Sequence, residues 1–372
     1  MTIRRRCEQL TVLVVFSVLG AQIGMSATKY WTGRGDGTHW ADATNWSGAK
    51  QPAAGDSVHF TNDTAITVSL AKFNGTSVTT TAISGWNFKG KDVVFTGGVL
   101  NGQGKTPYVN VVEAGTTVVI SNNFNIYNKH YSEGGPCFTK KGAGTVLQVP
   151  ATETATISLA TAENPADSVT IEEGAWVLDL QASRGYGTYV RATNVWIKAG
   201  AKLVQKGYNG LATGAAYRVD GIFELRTGDS QCQIASLAGT GTVSEVEGGK
   251  ANLIVTDTIS PGGDGEVGTL TVGCALIPNK SGVFATYVCD VIGAACDKLV
   301  LSKGLEFDLS NLNFRVAEGS DVHLSGKVGV MTTAKQFKNE FKSVDVPDTL
   351  KLKIEKAMVS IAEKTGLVLL LK

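Results

Sequence analysis

Few side chains in this sequence are spaced for chemistry, and each candidate has a plainer reading beside it. Arg34-Gly35-Asp36 spells the tripeptide that integrins read, yet a glycine-rich turn reaches it cheaply by chance. Asp36, Asp42, Asn45 and Asp56 offer carboxylate and amide oxygens of the kind calcium takes. Their spacing matches no standard calcium loop or repeat, and Asx residues in loops commonly cap turns. The four histidines, His39, His59, His130 and His323, are scattered, with no metal spacing and no nucleophile motif around them. Glu172-Glu173 is an adjacent acidic pair at a chain corner, where solvation is the default. Tyr186, Tyr189, Trp196, Tyr208 and Tyr217 form the one aromatic group whose rings could stack on sugar faces; ordinary packing is the competing role. No cofactor and no metal site is expected from these patterns.

The elements that must position these residues are short strands with glycine corners. In residues 194–206, Val195 and Ile197 alternate with polar neighbours and so share one face of an extended chain. Gly200 supplies a bend that a β-carbon resists, and Leu203 restarts the apolar face. The same phrase recurs around Gly174 (Val169, Ile171, Val177), Gly304 (Leu299, Leu301, Phe307) and Gly319 (Phe314, Val316, Val322), and more weakly around Gly115 (Val112, Val118). A unit this short cannot bury its own face, so copies must stack. The segments ITVSL, DVVFTGG, TTVVI and TVLQV, between residues 65 and 148, read as further strands. Residues 122–136 read as a protruding loop, residues 332–341 as one short helix, and the alternation of Leu350, Leu352 and Ile354 with lysines as a closing strand.

Composition agrees. Glycine numbers 44, only 18% of residues are charged, and proline is scarce, as suits an all-β chain with many tight corners. With 34 Lys+Arg against 33 Asp+Glu there is no global field to attract nucleic acid or an anionic membrane surface. Arg4, Arg5 and Arg6, followed by the apolar residues 10–19 and then small residues, read as a secretory signal peptide over residues 1–27. No later run is long enough for a transmembrane helix. Beyond the leader, Cys137, Cys232, Cys274, Cys289 and Cys296 are odd in number, so they cannot all pair within one chain. Either Cys289 and Cys296 pair across one corner, or all five are small core residues.

Half of the six tryptophans lie within residues 31–46, as Trp31, Trp40 and Trp46, where bulky rings would close an otherwise exposed apolar end. This segment, with Trp31, Gly33, Gly35, Trp40, Asn45, Trp46, Pro52, Gly55, Asp56, Val58 and Phe60, resembles the leader of secreted bacterial proteins with autotransporter-associated β-strand repeats. Residues 234–372 are similar to the terminal part of that family. The matching positions are Leu237, Gly239, Gly241, Thr242 and Val243, then Ser260, Pro261, Gly262, Gly268, Thr269, Leu270, Thr271 and Val272, with Asp297, Leu299 and Leu301 closing the unit. The resemblance implies a right-handed parallel β-helix like an autotransporter passenger. The chain departs from that pattern after Leu301, where nothing looks like a translocator barrel.

The expected molecule is therefore an all-β, right-handed parallel β-helix (β-solenoid): a signal peptide at 1–27, a Trp-rich cap at 28–60, the solenoid at 61–330 and closing strands at 331–372. Its expected role is a secreted or surface-exposed, non-catalytic, adhesin-like structure. Its expected partner is an extracellular macromolecule, with a glycan or a host or matrix surface as candidates, and neither nucleic acid nor a membrane span is expected. The rival expectation is a β-helix polysaccharide lyase or glycoside hydrolase. Such enzymes need acids or bases clustered on one face, and the sequence offers only the Glu172-Glu173 pair.

Overall fold

The computed structural model describes residues 27–364, except 77, 79–82, 102–107, 122, 127–134, 150–156, 160–166, 180–187, 191, 208–213, 229–230, 320, 323 and 325. Residues 1–26, most of the segment expected as a signal peptide, and the last residues, 365–372, lie outside that set, as do His130 and His323. The described residues form a parallel β-solenoid with no α-helix; three short 3-10 turns are the helical elements among them.

Two long sheets run the length of the rod, one of 14 strands and one of 13, and shorter sheets of two to four strands line the remaining side. Neighbours within each long sheet come from successive turns, so nearly all pairing is parallel. One interior column shows how the register is set. Phe138, Val169, Val195, Tyr217, Leu237, Ile259, Tyr287, Phe314 and Val344 lie side by side on consecutive strands of the first sheet. All but the last are buried; Val344 sits on the edge strand Ser343–Asp345 and is exposed. A slip of one residue anywhere in this column would turn its apolar members to water, which is why the alternation fixes the register.

Of the glycines expected at corners, Gly115, Gly174, Gly200 and Gly319 take a positive φ, between 63° and 80°. Gly304 does not: its corner is an open bend, and a Cβ there would meet nothing. Close stacking makes a different demand on other glycines. A Cβ on Gly241 would lie 2.1 Å from the carbonyl oxygen of Gly221 one turn below. At Gly174 it would meet the Gly144 carbonyl at 2.3 Å and the Lys140 ammonium at 2.5 Å. That ammonium belongs to a fully buried lysine in the interior. It donates to the carbonyls of Gly142, Gly144 (2.6 Å) and Glu173 (2.9 Å), which the corners turn inward. Burial lowers the Lys140 pKa to about 8, and the charge of Glu173 works in the opposite direction.

The tryptophan cap forms as expected. Trp31 and Trp40 both meet Trp46 near edge-on, with centroids 5.1 Å and 4.5 Å away. Trp31 stacks on Phe60, and Trp40 lies 5.3 Å from Trp86, so the cluster seats directly on the first turns. The cap is tied to both long sheets: Trp31 N–H donates to His59 O, and Trp40 N–H to Ser69 O.

Two expectations are corrected. Residues 332–341 are not helical; the strands Val328–Thr333 and Gln336–Lys338 occupy half of them and bends most of the rest. Val330, Met331 and Thr333 are buried, and the first of these strands pairs with Lys298–Leu301, so tertiary packing overrides local helix preference. That strand spans residues 330 and 331, where the solenoid and the closing strands were expected to meet. The loop expected at 122–136 contains the strand Asn123–Ile126, which belongs to a four-stranded sheet. At the far end, Leu350–Ile354 and Met358–Glu363 form an antiparallel hairpin on the second sheet, with Lys351 and Lys353 exposed.

Candidate binding surface

Strand parity divides the expected aromatic platform. On the strand Asn194–Ile197, Val195 and Ile197 point inward and Trp196 outward, leaving Trp196 41% exposed. On the next strand of the sheet, Ala216–Val219, the register aligns Tyr217 with Val195. Tyr217 is therefore a core residue, stacked on Phe223 at 5.3 Å, and is not available to a ligand. Tyr189 lies on the strand Thr188–Val190 of another sheet. Tyr186 and Tyr208 lie outside the described residues. Of the five rings, the structure places one, Trp196, on the outer surface.

What surrounds Trp196 follows from the same register. Arg218 is its direct neighbour across the parallel pair, flanked in turn by Ala238, while Thr170 adjoins Trp196 on the other side. Thr170 is small, and the indole stays exposed on the outer face of the sheet. Its Nε1 donates to Asp220 Oδ2 at 2.8 Å, and Arg218 Nε donates to the same oxygen at 2.8 Å. Arg218 Nη2 reaches Glu266 at 2.9 Å. The Lys198 ammonium lies 5.0 Å from the ring centroid and the Arg218 guanidinium carbon 5.5 Å, both within cation–π range. Lys198 is held by Glu172 at 3.4 Å, and Lys141 approaches the same carboxylate at 3.6 Å. The acidic pair at the corner thus supplies one ion-paired member, Glu172; Glu173 is exposed and contributes its carbonyl to Lys140.

The electrostatics fix this arrangement. Burial works against the Asp220 charge, but hydrogen bonds from Arg218, Trp196 and the Thr240 N–H outweigh it and hold the carboxyl below its ordinary range. Hydrogen bonds to Asp220 and Glu266 hold the Arg218 guanidinium above its own. The acid and base are locked as ions, so neither is poised to exchange a proton near neutral pH. The surface offers instead a flat apolar ring of fixed orientation, edged by hydrogen-bonding groups. Arg218, Asp220, Lys198 and Glu266 escaped the sequence reading. Aligning the apolar-x-apolar phrases of successive turns was the signal that could have found the first three, since it sets Arg218 beside Trp196 and Asp220 beside Lys198.

The oxygens considered for calcium are used within the cap. Asp36 Oδ1 accepts from the N–H groups of Thr38 and His39 and from Asn45 Nδ2, each at 2.8–2.9 Å. Asn45 Oδ1 accepts from Gly35 and Gly37, and Asp42 from Asp36 N and Thr44. Asp56 lies apart and caps Ala27 and Ala53. The Arg34-Gly35-Asp36 tripeptide is thus part of a closed turn, its carboxylate held well below the usual range by these bonds against the opposing effect of burial. Among the described residues no group of three or more His, Cys, Asp or Glu side chains is arranged for a metal ion, and no helix is long and apolar enough to cross a membrane.

Set against models of known families and against curated proteins, the sequence matches none.

Proposed function

We propose that this chain is a secreted or surface-exposed, non-catalytic β-solenoid that presents one face of its first sheet to an extracellular macromolecule. A glycan is the partner class that face suits best. The observation that carries the reading is Trp196: an exposed indole pinned through Nε1 to Asp220 and set among paired charges. A sugar ring offers an apolar face to such a platform and hydroxyls to the groups at its edge. Broad, shallow contact of this kind fits a long sheet better than an enclosed catalytic site does. The basic and apolar leader supports export, and the Trp-rich and glycine-rich motifs support kinship with autotransporter-associated repeat proteins. A glycan array probed with the protein and with Trp196→Ala, paired with a reducing-sugar assay on the bound polymers, tests the reading. Array signals lost in the variant, with no sugar released, are expected. Release of sugar, or binding indifferent to Trp196, would overturn it. Cell fractionation tests export: mature protein retained in the cytoplasm would refute that part.

A further inference from the structure

Apart from the outer face, the most reactive side chains gather where the strand Val283–Cys289 leaves the first sheet. The chain turns at Asp290 into a small antiparallel hairpin, Val291–Gly293 with Ala295–Cys296, in which Val291 pairs with Cys296. Asp297 N donates to Asp290 O at 2.9 Å, which extends the ladder by one rung. Cys289 precedes Val291 by two residues, so it is a diagonal neighbour of Cys296 across the ladder. Both thiols are free, and each influences the other's titration, Cys289 as the hydrogen-bond donor. Cys289 also reaches the carbonyls of Asp290 at 3.7 Å and Asp297 at 3.9 Å.

The two sulfurs are unequal. Cys289 is fully buried and Cys296 half-buried. The hydrogen bond from Cys289 stabilises a thiolate on Cys296 and lowers its pKa, while donating that bond and being buried raise that of Cys289. The hairpin tip is made of Gly293, Ala294 and Ala295, which put no bulky side chain in the way of a small reagent, and Lys298 lies close by in sequence. Cys232 and Cys274 differ in kind: both lie in the apolar core, and burial pushes the Cys274 thiol up to about 12.

We infer that Cys296 and Cys289 form a thiol–disulfide exchange site that accepts a small aliphatic disulfide and closes to a Cys289–Cys296 cross-link. The Cys296 thiolate attacks one sulfur of the incoming disulfide; that S–S bond breaks and the first thiolate leaves, taking up a proton from water. Cys289 then attacks the Cys296 sulfur of the mixed disulfide, and the second thiol departs with the Cys289 proton. Two protein thiols are oxidised and one external disulfide is reduced to two thiols, with no other oxidant needed. The bond fastens the hairpin to the end of a first-sheet strand.

The test uses full-length protein, first reduced and then equilibrated under native conditions with oxidised glutathione. The expected result is a loss of two titratable thiols and of two hydrogens in intact mass, with peptide mapping locating the link between Cys289 and Cys296. Cys289→Ser should trap glutathione on Cys296 as a stable adduct, and Cys296→Ser should take up none at Cys289. Retention of every thiol, a link mapped to Cys232–Cys274 or to Cys137, or a Cys289→Ser protein without an adduct would each overturn the assignment. Should a serine variant fail to fold, the mapping on the unaltered chain decides alone.

Discussion

Tyr217→Phe and Tyr287→Phe make the same chemical change at two positions of one interior column, and their stability effects should have opposite signs. Both rings are buried. The Tyr217 hydroxyl has no hydrogen-bond partner among the described residues. The Tyr287 hydroxyl donates to Val330 O at 2.8 Å and is 3.2 Å from Asp297 O. A buried hydroxyl without a partner costs about 1–3 kcal/mol, so deleting it from Tyr217 removes a penalty while the stack on Phe223 survives. Against that gain stands the small packing loss of one oxygen, leaving a net stabilisation of about 1 kcal/mol. At Tyr287 the same deletion strips a made bond and leaves a carbonyl short of its donor, a loss of about 1–1.5 kcal/mol. The two variants should therefore differ by roughly 2 kcal/mol, about thirtyfold in an unfolding equilibrium at 1.4 kcal/mol per decade. Because layers of a solenoid couple mainly to their neighbours, urea midpoints should be read together with amide exchange in the flanking strands. A Tyr217→Phe protein less stable than the parent, or two variants with indistinguishable shifts, would refute the reasoning.

Four further outcomes follow from the same geometry. Lys140→Met should destabilise by about 2–4 kcal/mol, because three inward carbonyls lose a charged donor; thermal unfolding checks it. Gly241→Ala should cost a similar ~2–4 kcal/mol, since its Cβ would press into the Gly221 carbonyl, and amide exchange should place the damage in the adjoining turns. Trp196→Ala should shift stability by only about 0.5 kcal/mol while abolishing glycan-array signal. Burial raises the Asp297 carboxyl to about 7 from its ordinary 3.8. In the raised range the folded chain holds a proton that the unfolded chain has released, so this group's contribution is fully present below about 4 and is lost as pH rises through about 7. Urea midpoints against pH should show that decline in the parent and lack it in Asp297→Asn.

The sequence was most readable where a single rule operates. Alternation with a period of two told inward from outward at Val195 and Ile197. Tyr217 was misjudged because its chemistry was weighed without its parity; one turn's alignment against Val195 puts the ring inside. The segment 332–341 carries Ala, Lys, Gln and Glu, all helix-compatible, and no local signal reveals that the neighbouring strand Lys298–Leu301 is waiting to pair. Lys140 reads as one more solvated lysine, since the carbonyl cradle exists only once Gly142, Gly144 and Glu173 are stacked around it. A Cys289–Cys296 pairing was open as one of two alternatives; the structure leaves both as free thiols, and only the fold sets them diagonally across one hairpin. Arg218 and Glu266, 48 positions apart, meet for the same reason.

Because the interior column repeats one layer at a time, whole layers could be cut out or duplicated without redesigning the core. Residues 194–215, from the start of one first-sheet strand to the residue before its neighbour, approximate such a cassette. Excising them would set Thr170 beside Arg218 and erase the indole, leaving Val169 to meet Tyr217 within the core. The outer face is therefore editable text on a repeating spine: what the rod displays can be rewritten by exchanging segments, at little risk to its ability to assemble.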